Sequence, residues 1–337
     1  MRRLAVGLLV LALTAFGGAL WWLEQPLALR QAVVDLKIAP GMAARQVALQ
    51  AVSDGVQTSP WALYAWFRLS GQARRIQAGT YELTAGLTPR ALLSKLVKGE
   101  RAERQVTLLE GWTFSQIQQA LASAADLQLA SGELSSAALM AKLGRQGQLP
   151  EGRFFPDTYR YPKGGSDLEV LSAALQAMDR QLEQAWSART PDSVLRDPGE
   201  LLILASIVEK ETGLGADRPL VAGVFHNRLK RGMPLQTDPT VIYGMGEAFD
   251  GNLRRRDLQK DTPWNTYTRV GLPPTPIAMP GQASLMAAAR PAQTKALYFV
   301  ARGDGSSEFS ETLEAHNRAV NRYQRRQQPK PPGNERR

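Results

Sequence analysis

Cysteine is absent from the 337 residues, and histidine occurs only at His226 and His316. Disulfides, thiolate nucleophiles and Cys/His zinc sites are therefore excluded, and neither a metal nor a cofactor is expected. No Gly-x-Ser-x-Gly accompanies either histidine, so a Ser-His-Asp triad lacks its usual setting. Any bond cleavage must fall to carboxylates, hydroxyls or amides.

Concentrated charge is also missing. Arg2, Arg3 and the net four positive charges between Arg325 and Arg337 account for six of the formal +10. The remainder carries no basic stripe, so no nucleic-acid partner is expected. The Gln-, Pro- and Arg-rich tail over 326–337 reads as disordered. With 44% apolar and 21% charged residues, the chain is neither a disordered polymer nor a multi-span membrane protein. Its length exceeds what one core serves, which predicts a membrane segment and about two domains.

What the sequence does have begins at Leu4, where 20 residues run to Leu23 without a charge. A helix rising about 1.5 Å per residue crosses a hydrocarbon layer of about 30 Å over that length. Arg2 and Arg3 precede the run, and Trp21 and Trp22 close it. This pattern predicts residues 1–3 in the cytoplasm, an anchor over 4–23, and the rest outside. Gly17-x-Ala19 could mark a signal-peptide cleavage site. The run is long for a signal peptide and continues past that site, which favours a retained anchor; in a bacterium everything beyond it would lie in the periplasm or wall.

The fold class expected is α+β. Residues 24–100 suggest a small subdomain: a strand over Val33–Ile38, a helix over Met42–Val52, another over Pro60–Leu69, a strand over Gly79–Leu83, and a helix opened by Thr88-Pro89 and stopped by Gly99. This order resembles LysM-like wall-binding units. Residues 101–325 suggest a mainly helical domain with a small sheet. Its expected helices are Phe114–Ala124, a segment capped by Asp167 that runs to Trp186, Pro198–Thr212, a helix from Asp217 to Gly232, and a last helix over Glu311–Arg325. Strands are expected over Ala296–Ala301 and Glu308–Ser310.

Chemistry should sit where Leu201–Val208, apolar apart from Ser206, lead into Glu209. A helix apolar all round runs through a core, so its end carries a carboxyl out of apolar packing. Desolvation and the negative end of the helix dipole both favour a retained proton there, as a general acid needs. Glu211 lies about 200° further round the helix and cannot share that wall, so one of the two should be functional and the other solvated. Asp238-Pro239 reads as a helix start that ends at Gly244, with Gln236, Thr237, Thr240 and Tyr243 around it. A proline-stiffened loop then carries Trp264, Asn265 and Tyr267. Amides, hydroxyls and aromatic faces together suit a carbohydrate.

The blocks EGRFFPDTY (Glu151–Tyr159), IVEKET (Ile207–Thr212), LQTDPTVIYGMG (Leu235–Gly246), Asn265-Thr-Tyr267 with GLPPTPI, and Phe309-Ser-Glu-Thr followed by Glu-Ala-His-Asn317 resemble, in order, the YceG-like, MltG-type endolytic murein transglycosylases. Trp264, Met279 and Glu308 depart from the family pattern, all outside the glutamate block. The resemblance implies an inner-membrane, single-pass enzyme whose periplasmic domain cuts nascent peptidoglycan strands to leave 1,6-anhydro ends and so terminates their growth. Glu209 would be the catalytic residue. Gln236, Asp238, Thr240, Tyr243, Asn265, Tyr267, Phe155 and Asp157 are the candidate substrate contacts. The expected partners are peptidoglycan glycan strands, with peptidoglycan synthases as further candidates.

One carboxyl suffices for such a reaction, because the sugar's own 6-hydroxyl replaces water as the attacking group. Two other readings fit the same residues. One is a muramidase with Asp238 or Asp157 as the second carboxylate; the other is a wall-binding scaffold without activity.

Overall fold

A computed structural model of the protein describes residues 2–325, so the tail over 326–337 lies outside the described residues. The protein is mixed α and β, about half helical, with small sheets and one apolar N-terminal helix. The chain forms two compact units: Met1–Arg104 with 125–128 and 160–165, and the rest from Gln105 onward.

In the first unit the elements are α1 (Arg2–Leu23), β1 (Ala28–Leu29), β2 (Val33–Ile38), α2 (Ala44–Asp54), β3 (Val56–Gln57), α3 (Pro60–Leu69), β4 (Gly79–Thr84) and α4 (Pro89–Lys98). Helix α1 is solvent-exposed until Trp22 and Leu23, which pack into the unit. Among the described residues it is the one helix long and apolar enough to cross a membrane. Strands β2 and β4 pair antiparallel with Leu36 opposite Tyr81 and Asp35 opposite Glu82. Alternation sends Val34, Leu36 and Ile38 into a core shared with Val47, Leu63, Phe67 and Leu92.

On the other face of this pair, Asp35 and Glu82 are like charges directly across the ladder, a destabilising arrangement if left alone. The Lys163 ammonium answers both, at 2.8 Å and 3.1 Å. Arg104 also donates to Glu82, and these two cations, Arg104 first, hold the Glu82 carboxyl down to about 2. The helix starts follow local chemistry. Thr88 accepts the Ala91 N–H at 3.2 Å ahead of Pro89, and Gly99, at φ +70°, takes the left-handed turn that ends α4.

The second unit contains most of β5 (Glu103–Thr107), α5 (Phe114–Ala122), α6 (Ser136–Lys142), the start of β6 (Thr158–Pro162), α7 (Asp167–Ser187), α8 (Pro198–Glu211), α9 (Arg218–Lys230), α10 (Asp238–Met245), α11 (Arg255–Gln259), α12 (Gln282–Ala289), β7 (Tyr298–Ala301), β8 (Ser307–Ser310) and α13 (Leu313–Val320). Strands β7 and β8 pair antiparallel. Helix α8 is the axis of the core: Leu201, Leu202, Leu204, Ala205, Ile207 and Val208 are all buried, packed with residues of α7, α9 and α12.

Several expected caps move. Asp167 is not the cap of α7. Ser166 is, accepting the Leu168 N–H, while the buried Asp167 carboxylate accepts the N–H groups of Ala130 and Ser131. Asp238 is likewise the first residue of α10 rather than its cap. The helix also runs past Gly244 to Met245, and Gly246, at φ +55°, supplies the turn. The last helix is shorter than expected, with Thr312 capping it and a π-type turn following over Asn321–Arg325.

Candidate active site

Asp197 and Pro198 start α8, Asp197 accepting the Glu200 N–H at 2.9 Å. Three turns later the helix delivers Glu209, whose side chain is only 6% exposed. Its carboxylate is not left to apolar packing. Oε2 accepts the Gly281 N–H at 2.9 Å, and Oε1 lies 3.3 Å from the Arg218 guanidinium. Gly281 is the N-cap of α12, and Arg218 is the first residue of α9. Glu209 therefore sits at the negative end of one helix dipole while meeting the N-cap N–H of α12 and the Arg218 guanidinium, an arrangement that complements an anion. The expectation of a carboxyl surrounded mainly by apolar groups is corrected: Arg218 and a backbone donor hold it.

A second carboxylate shares this place. Glu110, with its side chain half exposed, lies 4.0 Å from Arg218. A Cβ built on Gly281 would fall 1.8 Å from Glu110 Oε1, so the absence of a side chain at 281 gives that carboxylate its room. The segment is held by Gly111 N–H donating to Met279 O at 2.8 Å, Met279 N–H donating to Trp112 O at 2.7 Å, and Lys210 reaching Gly111 O at 3.1 Å.

Glu211 is not solvated, contrary to expectation. It turns to the opposite side of α8, where the Thr237 hydroxyl donates to it, and burial pushes its carboxyl up to about 7. A cavity of about 560 Å³ adjoins it, lined in part by Arg228, Gln236, Asp238, Tyr267 and His316. Of the expected substrate contacts, the structure thus gathers Gln236, Asp238 and Tyr267 beside Glu211. The Tyr267 hydroxyl donates to Asp238 at 2.5 Å, and Gln236 is exposed at φ +50°.

The other expected contacts separate. Thr240 and Asn265 are wholly buried, with their polar groups turned to protein partners. The Thr240 hydroxyl bonds Thr237 O and Thr266 Oγ1. Asn265 donates to Leu258 O and Lys260 O and accepts the Tyr267 N–H. Tyr243 gives its hydroxyl to Glu151 at 3.2 Å and meets Trp264 edge-on. Phe155 packs against the core of its unit, and Asp157 is exposed, with its carboxylate accepting the neighbouring Thr158 N–H. Neither Asp238 nor Asp157 is paired with Glu209 among the described residues.

Sequence reasoning missed Arg218, Glu110 and Glu151. Glu151 is buried beneath Tyr243, accepts the Phe114 N–H at the start of α5, and is pushed up to about 7 by burial. The Asp217-Arg218-Pro219 start of α9 was the available signal for the arginine, since a first-turn residue of one helix can face the end of another.

The model of the YceG-like family matches residues 36–322. The endolytic murein transglycosylase of Bacillus subtilis is 33% identical over 315 residues, 86% of this chain and 84% of that protein. The protein of the same name from Streptococcus pneumoniae D39 is 32% identical over 279 residues, 73% of this chain. The chain spans about half of that longer relative. A crystal structure described as a putative yceG-like protein from Listeria monocytogenes superposes with a TM-score of 0.54 at 27% identity, covering 85% of this chain and 98% of that one.

Proposed function

Given that the chain belongs to the YceG-like family, we propose that it is an endolytic murein transglycosylase with Glu209 as its proton-transfer group. The observation that carries the residue assignment is a carboxyl 6% exposed, fixed at one oxygen by Gly281 N–H and at the other by a cation.

The reaction asks for a proton and then for its return. Glu209 protonates the oxygen that leaves from C1 of the N-acetylmuramic acid unit. The same sugar's 6-hydroxyl attacks C1, and the ionised Glu209 accepts its proton. One C–O bond breaks and another forms, no water is consumed, and the strand ends in a 1,6-anhydro ring. Because the nucleophile is already tethered, its effective concentration is high and no second carboxylate need activate water. Arg218 and the Gly281 N–H stabilise Glu209 while it is anionic.

Gln236, Asp238 and Tyr267 group around the Glu211 cavity, on the side of α8 away from Glu209, where in this reading they hold a part of the strand other than the bond being cleaved. A LysM-like reading of the first unit is supported by its strand-helix-helix-strand order alone. Inner-membrane anchoring through α1, with the larger unit in the periplasm, is supported by Arg2 and Arg3 before the apolar run and Trp21 and Trp22 after it. Peptidoglycan strands are the substrate in this reading, and synthases are the candidate partners.

Mass spectrometry of products from purified glycan strands tests the reaction. Anhydro ends lighter by one water than reducing ends are expected, with Glu209→Gln inactive. Reducing ends would make the enzyme a hydrolase instead.

A further inference from the structure

We propose that Glu110 and Arg218 form a charge switch that decides when Glu209 can hold a proton: Arg218 pairs with Glu209 in the resting site and shifts onto Glu110 when a glycan strand enters. The inference rests on Glu209 being the proton donor, and it assigns Glu110 and Arg218 as positioning residues.

Four observations lead to it. Arg218 stands 3.3 Å from Glu209 and 4.0 Å from Glu110, so a small swing exchanges its partners. Among the described residues the buried Arg218 Nε has no hydrogen-bond partner, so the root of the guanidinium is not locked to either side. Glu110 is half exposed where Glu209 is not, and so Glu110 is the acid that an arriving strand meets first. Both carboxylates also adjoin Gly281, one through its N–H and the other in the space its missing side chain leaves.

The chemistry requires a switch of this kind. A carboxylate held by a guanidinium and a backbone N–H is suited to accept the 6-hydroxyl proton and ill suited to deliver one. Losing the guanidinium to Glu110 leaves a carboxyl that takes a proton from solvent before cleavage. The return of Arg218 after cleavage steadies the anion. The charged groups facing Glu209 are Arg218 from α9, Glu110 from the segment before α5, and Lys210 from α8 itself, whose ammonium is tied to Gly111 O. Helix α12 presents the Gly281 N–H.

The experiment is the pH–activity profile of the full chain on purified glycan strands for wild type, Glu110→Gln and Arg218→Met, with products identified by mass. In Glu110→Gln the cation stays on Glu209, so the alkaline limb of kcat should move to lower pH, with KM changed less than twofold. In Arg218→Met the limb should move to higher pH with a lower kcat, while Arg218→Lys, which keeps the charge, should sit near wild type and serves if the methionine variant does not fold. A limb unmoved in Glu110→Gln would overturn the switch. So would loss of activity at every pH, because it would make Glu110 a proton-transfer group itself. Reducing ends from the wild type would instead reject the transglycosylase reading, and the limb positions would still report on the switch.

Discussion

Glu209 and Glu211 leave the same last turn of α8 in opposite directions, one to the Gly281 N–H and Arg218, the other to the Thr237 hydroxyl. Two carboxyls spaced two apart in sequence thereby occupy two different electrostatic settings. The first is met by a cation and the N-cap N–H of α12. The second is burdened by burial, with Asp238 as a nearby like charge.

Replacing each separately distinguishes their work. Glu209→Gln should lower strand cleavage by about 10²-fold or more, the usual scale for a proton-transfer group, whereas Glu211→Gln should keep cleavage within several-fold. Equal losses in both, read from product release with purified strands, would reject the assignment.

Glu151 and Glu211 imply an unusual pH dependence of stability. Both carboxyls titrate near 7 in the folded chain against an ordinary 4.5, so the folded state holds protons that the unfolded state has released. Their contribution is intact below about 4.5 and is lost as pH rises toward about 7. The loss is on the order of 1–3 kcal/mol for each group. Melting temperatures of wild type and Glu151→Gln should diverge across that interval, the variant falling about half as far as the wild type because Glu211 still titrates there.

Asn265 should matter for folding rather than for sugar contact. Removing its amide orphans the carbonyls of Leu258 and Lys260 and the Tyr267 N–H, so Asn265→Ala should cost about 2 kcal/mol or more. The checks are thermal melting and KM at a temperature where the variant is folded. A large rise in KM with unchanged melting would return Asn265 to the substrate.

Gly281→Ala probes the space held for Glu110. The backbone there, at φ −80°, accepts alanine, but the new methyl group must push the Glu110 carboxylate aside. Because the displaced atoms end a flexible chain, melting should change by less than about 1 kcal/mol. Activity should show the same acidward displacement of its alkaline limb as Glu110→Gln.

Helix α1 can be tested by truncation. Trp22 and Leu23 pack against the first unit, so a cut after Leu20 should release the protein from membranes to the soluble fraction without unfolding it. Sedimentation with membranes after truncation would argue against α1 as the anchor.

Much of the fold was legible because its signals are local. The strand at Val33–Ile38, the helix at Pro60–Leu69, and the Thr88-Pro89 start with its Gly99 stop all follow from alternation, caps and turn residues. The core helix that ends at Glu209 was legible because its nearly unbroken apolar run announces burial on every side. The rest depended on distance in sequence. Asp167 and Asp238 look like caps, yet each spends its carboxylate on a partner about 30 residues away or more, and no local rule foresees that. Asn265 looks like a sugar-binding amide until the loop is seen folding back around it. Arg218 and Glu110 bear on Glu209 only once α9 and the segment before α5 are assembled.

Ser206, three residues before Glu209 on α8, donates to Ile203 O at 2.7 Å and accepts the Ile277 N–H at 3.0 Å. With the Gly281 bond it makes two rungs of one polar seam, fastening the strand of loop that carries Gly281 to a helix at the centre of the core. Glu209 is therefore aligned by the same interactions that keep the core closed, with no independent hinge between them. Heating should extinguish cleavage and melt the second unit in a single transition, and inactivation should not run ahead of unfolding.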